Sequence, residues 1–139
     1  MEEAARCWCQ ALARTLEVQH ITPNGTPYLD RYFAVGWTPT RSKPGPKIFL
    51  HHFLASDPND QVHSHPWGWS ASLIMAGGYR EERCDAAGQL TVKEYRPGDV
   101  NVIEADDKHR IDLLAEDCWS VFLAGDFAKM WAFAPRCGA

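Results

Sequence analysis

From residue 28 to residue 134 the chain is interrupted at short intervals by turn-forming clusters, and that rhythm limits what it can fold into. Glycine, proline, asparagine and aspartate gather at Pro23-Asn-Gly-Thr26, Arg41-Ser-Lys-Pro-Gly-Pro-Lys47 and Ser56-Asp-Pro-Asn-Asp60. They gather again at Gly77-Gly78, Asp85-Ala-Ala-Gly88 and Arg96-Pro-Gly-Asp99. The segments between, at 28–37, 48–54, 69–76, 79–84, 90–95, 100–104, 109–114, 118–124 and 129–134, are short and largely rich in aromatic and β-branched residues. Such runs are strands rather than helices. Only residues 2 to about 18 read differently: Ala5, Trp8, Leu12 and Leu16 recur at helical spacing, and Glu2 and Glu3 suit a helix N-terminus. The expectation is an all-β sandwich or barrel over 28–134. One N-terminal α-helix, within 1–20, lies outside the barrel or in a subunit contact, and 1–139 forms a single domain.

Charge and composition narrow the function classes. A net charge of -4, a pI near 5.8 and the absence of a basic stripe argue against a nucleic-acid partner. No apolar run approaches the roughly 18 residues of a membrane span. The start, Met1-Glu-Glu-Ala-Ala, lacks the basic and apolar regions of a secretory signal, so a cytoplasmic location is expected. Five cysteines without a zinc-type CxxC pair read as free thiols, and Asn24-Gly25-Thr26 reads as a turn rather than a glycosylation site.

The chemistry concentrates in Gln61-Val-His-Ser-His-Pro-Trp-Gly-Trp-Ser70. On an extended backbone His63 and His65, two residues apart, point to the same face. Far downstream, His109 shares the apolar face of its strand with Ile111 and Leu113, whereas Arg110 and Asp112 alternate outward. A lone inward histidine is more often a core residue than a ligand; beside an HxH pair it becomes the third arm of a divalent-metal site.

These residues carry a resemblance. His63-Ser-His65 followed by Gly77-Gly78 resembles the first motif of the cupin superfamily, and Pro97-Gly98-Asp99 with His109 resembles the second. The likeness spans roughly residues 47–125 and extends to small cupin-like proteins of bacteria and phages. It implies a double-stranded β-helix, or cupin jelly-roll barrel, whose motifs bring His63, His65 and His109 to one divalent metal. The usual first motif also supplies a glutamate where this chain has Trp69 and Ser70. The missing acid implies a neutral three-His centre, similar to the non-haem iron sites of thiol dioxygenases and diketone-cleaving cupins. The implied cofactor is a divalent transition metal, Fe(II) first, with zinc, nickel, copper and manganese open. The implied activity is dioxygenation of a small organic substrate. The alternatives are a metal-dependent isomerase or lyase, and a non-catalytic module that binds a small ligand or joins an assembly. Cupin barrels commonly pair through outer strands, so a homodimer is expected.

Around the triad the sequence leaves several roles open, and no residue is assigned a direct catalytic step. His51 and His52 are adjacent, so one faces each way on its strand, and periodicity does not choose. His51 is the preferred pocket candidate, beside the alternative of a buried core histidine. Ser70, or Ser72, in the region vacated by the glutamate is a second pocket candidate. Trp67, Trp69, Trp119 and Trp131 read as core and rim rather than as substrate walls. Tyr79-Arg-Glu-Glu-Arg83 reads as a solvated face, with Arg80 a carboxylate binder only if its strand turns inward. His20 reads as surface.

Overall fold

The computed structural model describes residues 1–38, 41–42, 44–58, 60–130 and 132–137. One helix, α1 (Glu2–Ala13), is followed by β1 (Glu17–Ile21), a short 3-10 turn (Pro23–Gly25), β2 (Leu29–Val35), β3 (Trp37–Thr38) and β4 (Arg41–Ser42). Then come β5 (Lys47–Phe53), β6 (Gln61–His63), β7 (Trp69–Ala76), β8 (Tyr79–Cys84) and β9 (Leu90–Tyr95). The chain ends with β10 (Val100–Glu104), β11 (Lys108–Leu113), β12 (Cys118–Ala124) and β13 (Phe133–Pro135).

The strands form a six-stranded sheet, β1-β2-β5-β12-β7-β10, facing a five-stranded sheet, β13-β6-β11-β8-β9. The pairings within both sheets are antiparallel. Alternation sets what lies between them. Along β7, Ser70, Ser72, Ile74 and Ala76 are buried while their neighbours are more exposed, the period-two pattern of a strand with one face on a core. At one end Phe33, Phe49, Trp67 and Phe122 pack together, and at the other Ile74, Tyr79, Tyr95 and Ile111. Gly77, at φ 79°, makes the tight turn from β7 to β8, where a Cβ would lie 2.0 Å from the Asp117 carbonyl oxygen. No other residue type fits there.

The helix is shorter than its periodicity suggests. It ends at Ala13, where the Thr15 hydroxyl donates to the Leu12 carbonyl, and Glu17–Ile21 instead pairs with β2 as an edge strand. Val18 and Ile21 favour extended backbone, and cross-strand hydrogen bonds outweigh the weak propensity to continue the helix. Its buried stripe also differs: Cys9 and Ala13 pack on Leu50, Ala76 and Trp119, whereas Trp8 is half exposed. The helix lies on the outer face of the larger sheet, tied there by Arg6, which donates to Asp117 at 2.5 Å. Two further boundaries move. Part of the expected 41–47 loop is β4, paired with β3 in a small ribbon, Lys43 lying outside the described residues. The last strand is Phe133–Pro135 rather than 129–134.

A candidate metal centre at the end of an apolar cavity

Register builds the site. His63 on β6 and His109 on β11 are direct cross-strand partners, which sets their side chains next to each other on one face. His65 lies beyond the end of β6. Its position comes from the C-terminal segment, which straps the chain in place. The Ser64 N–H donates to the Ala132 carbonyl at 2.9 Å, and the Ala132 N–H donates back to Ser64 Oγ at 3.1 Å. The N–H groups of Ala128 and Lys129 both donate to the Pro66 carbonyl.

The three rings converge. One ring nitrogen from each of His63, His65 and His109 lies within 4.8 Å of the other two, and this set could hold a metal ion. His65 Nε2 and His109 Nε2 are 2.8 Å apart, a contact that one shared proton, or a cation in its place, makes favourable. The protonation states suit a cation. Burial, ahead of the neighbouring His109, holds His63 down to about 3, and burial pushes His65 well below the usual imidazole range. At neutral pH both rings are therefore uncharged and keep a lone pair.

Behind the rings stand two carboxylates. The His109 Nδ1–H donates to Glu81 Oε1 at 3.2 Å, which leaves Nε2 as the free electron pair. Glu81 is itself fixed: Arg83 Nε donates to it at 2.7 Å and Asn101 Nδ2 at 2.7 Å. Burial alone would raise its carboxyl, but the hydrogen bonds from His109 and Arg83 and the neighbouring guanidinium outweigh that and hold it at about 2. Asp57 lies 3.6 Å from His63 Nδ1 and accepts from the Tyr28 hydroxyl and, at 2.9 Å, from the Ile111 N–H. Three convergent imidazoles, two of them with a carboxylate beside Nδ1, are a donor set that fits a divalent transition metal.

The histidines open onto a cavity of about 250 Å³ between the sheets. Its walls are mostly apolar, with Leu29, Phe53, Ile103, Ile111 and Phe122 among them, and its polar lining includes Tyr28, Arg31, His51, Ser72 and Tyr79. His51 lines it, stacked on Phe122 at 4.7 Å, and burial keeps its ring neutral. His52 faces the helix side, stacked on Trp119 at 3.8 Å and bonded to Asp117 at 2.8 Å. Ser70 is buried, but it does not line the cavity and its Oγ has no hydrogen-bond partner among the described residues; Ser72, two residues on, does line it. Trp67 and Trp119 are buried, Trp69 is partly exposed against Gly125, and Trp131 lies outside the described residues. His20 is exposed and pairs with Asp30.

Two features depart from expectation. The 79–83 segment is not a solvated face: Tyr79, Glu81 and Glu82 are buried, because Arg83 and Asn101 satisfy Glu81 while Arg136 and Arg80 pair with Glu82. Arg80 turns outward toward Glu82 and Asp112, and the cation on the cavity wall is Arg31. Sequence did hold a signal for it, since Arg31 sits at the middle inward position between Leu29 and Phe33.

No protein-family model matches the chain, and no curated protein matches it either. Solved structures do. Fe(II)-HppE with the alternative substrate (S)-1-HPP superposes with a TM-score of 0.61 at 12% identity over 81% of this chain. The DMSP lyase DddQ from Ruegeria pomeroyi DSS-3 does so with 0.63 at 13% over 86%. Oxalate decarboxylase from Bacillus subtilis, studied for its Mn(II) centres, gives 0.63 at 15% over 86%. All three are cupin-fold proteins. The chain has the cupin fold. It spans 57%, 61% and 30% of those three chains, and identity this low speaks for the fold alone. No helix among the described residues is long and apolar enough to cross a membrane.

Proposed function

We propose that His63, His65 and His109 hold one divalent metal, Fe(II) in the first instance, and that the protein is a mononuclear dioxygenase acting on a small organic substrate. The observation that carries this reading is the convergence of three imidazoles, that of His109 buried and those of His63 and His65 half-buried, at the wall of a largely apolar cavity. Imidazole suits iron, zinc, nickel and copper alike, so the preference for iron draws on the missing first-motif glutamate and on Fe(II)-HppE among the fold's relatives. Mn(II) in oxalate decarboxylase keeps manganese open. Bound by three neutral ligands, such an ion would supply Lewis acidity and one-electron chemistry toward dioxygen at its open positions.

The chain's own residues do the rest. Glu81 keeps the proton of His109 on Nδ1, so that Nε2 stays free. The apolar wall keeps bulk water from the reacting groups. A metal-dependent lyase is the second reading, and one observation favours it: Tyr28 donates to Asp57 on the cavity wall, a hydroxyl–carboxylate pair suited to moving a substrate proton. The exposed Val100 and Val102 of β10 are where we place a homodimer contact, and the five free cysteines fit a reducing, cytoplasmic setting.

Oxygen consumption separates the two chemistries. The Fe(II)-loaded full chain, offered small organic acids, is expected to take up oxygen with a substrate and to lose that uptake in His63→Ala. Turnover undiminished under anaerobic conditions would refute the dioxygenase in favour of the lyase.

A further inference from the structure

We propose that the cavity takes a small monocarboxylate with an apolar body, and that Arg31 binds its carboxylate head. Arg31 sits on β2 with its side chain on the cavity wall and only 5% of the residue exposed. Its Nε donates to His51 Nε2 at 3.1 Å, and its guanidinium carbon lies 5.0 Å above the Phe49 ring. These contacts fix the plane of the fork but bring no negative charge. Among the described residues no carboxylate stands within ion-pair distance of it.

The acids near the cavity are already engaged. Asp57 takes the Tyr28 hydroxyl and the Ile111 N–H, and Glu81 takes Arg83, Asn101 and His109. A buried cation without a counterion is expensive, and a bound anion removes the cost. The planar fork with unused donors matches a carboxylate in two-point contact. One guanidinium balances one negative charge; a phosphate dianion would bring a surplus beside Asp57 and Glu81. Leu29, Phe53, Ile103 and Phe122 then face the body of the ligand. At about 250 Å³ the cavity falls below the usual range for drug-sized ligands, roughly 300–1,000 Å³, so that body is small.

The inference rests on the metal-centre reading only in calling this ligand the substrate, so its test is run on the full chain with and without metal. Binding of benzoate, benzamide and inorganic phosphate is measured by titration calorimetry at constant ionic strength. Benzoate is expected to bind at one site per chain and at least tenfold more tightly than benzamide, in either metal state. Arg31→Met is expected to weaken benzoate at least tenfold while leaving benzamide affinity and metal content unchanged, and Arg31→Lys to restore part of the loss. Benzoate binding no tighter than benzamide to the unaltered chain would overturn the proposal without recourse to any variant. So would an Arg31→Met protein that binds benzoate as before, or phosphate binding tighter than benzoate. Selectivity through Arg31 in a chain that takes up no metal would uphold this proposal while refuting the metal centre.

Discussion

His109 is gripped from both ends, by Glu81 at Nδ1 and by the contact with His65 at Nε2, and this fixes both its tautomer and its ring plane. Partners that orient a ligand imidazole and raise its basicity usually contribute roughly 10- to 100-fold in metal affinity. Glu81→Gln is therefore expected to weaken metal binding by about that factor, whereas Glu82→Gln, changed at the Arg136 pair, leaves it unaltered. Competition with a chromophoric chelator measures both. Equal affinity in Glu81→Gln and the unaltered protein would mean that the carboxylate plays no part in the centre. The three histidines were legible in sequence because an HxH pair and a histidine on an apolar alternation are local patterns. Glu81 was not, because a charge-rich strand reads as solvent-facing unless the partners that bury it are known. Those partners, Arg83 on the same strand and Asn101 on the opposite sheet, meet it only in the folded chain. Arg31 was missed for a related reason: the strand was evident, but an arginine among its inward residues has meaning only once the cavity exists.

At the level of elements, the site depends on a pairing and a strap. The β6–β11 register brings His63 beside His109, but His65 is placed by the hydrogen bonds between the chain after β6 and the C-terminal segment. Ser64 is fully buried, and its hydroxyl accepts from the Ala132 N–H. Ser64→Ala removes that hydrogen bond, whose net contribution is about 0.5–1.5 kcal/mol. The expected result is a lower melting temperature together with a metal affinity weakened several-fold, read by calorimetry and by the same chelator competition. Metal affinity unchanged beside a lowered melting temperature would mean that the strap holds the fold and not His65. Strand boundaries from β7 to β12 follow the alternation and turns of the sequence closely. The helix end and β13 do not, since one is decided by edge pairing with β2 and the other by pairing with β6.

For the molecule as a whole, two facing sheets make a barrel that is packed with aromatic side chains at one end and left open as a cavity beside the histidines. The fold was legible because turn spacing and strand alternation are features of the entire chain. The reaction was not, because it depends on which metal and which ligand meet in a cavity whose walls come from both sheets. The central claim is that His63, His65 and His109 together hold one divalent ion. Elemental analysis of the 139-residue chain after anaerobic loading with Fe(II) and removal of loosely held ion tests it most directly. The unaltered protein and a His20→Ala control are predicted to retain close to one ion per chain, and His63→Ala, His65→Ala and His109→Ala to retain almost none. An unaltered protein without bound ion, or full retention by His65→Ala and His109→Ala, would contradict it.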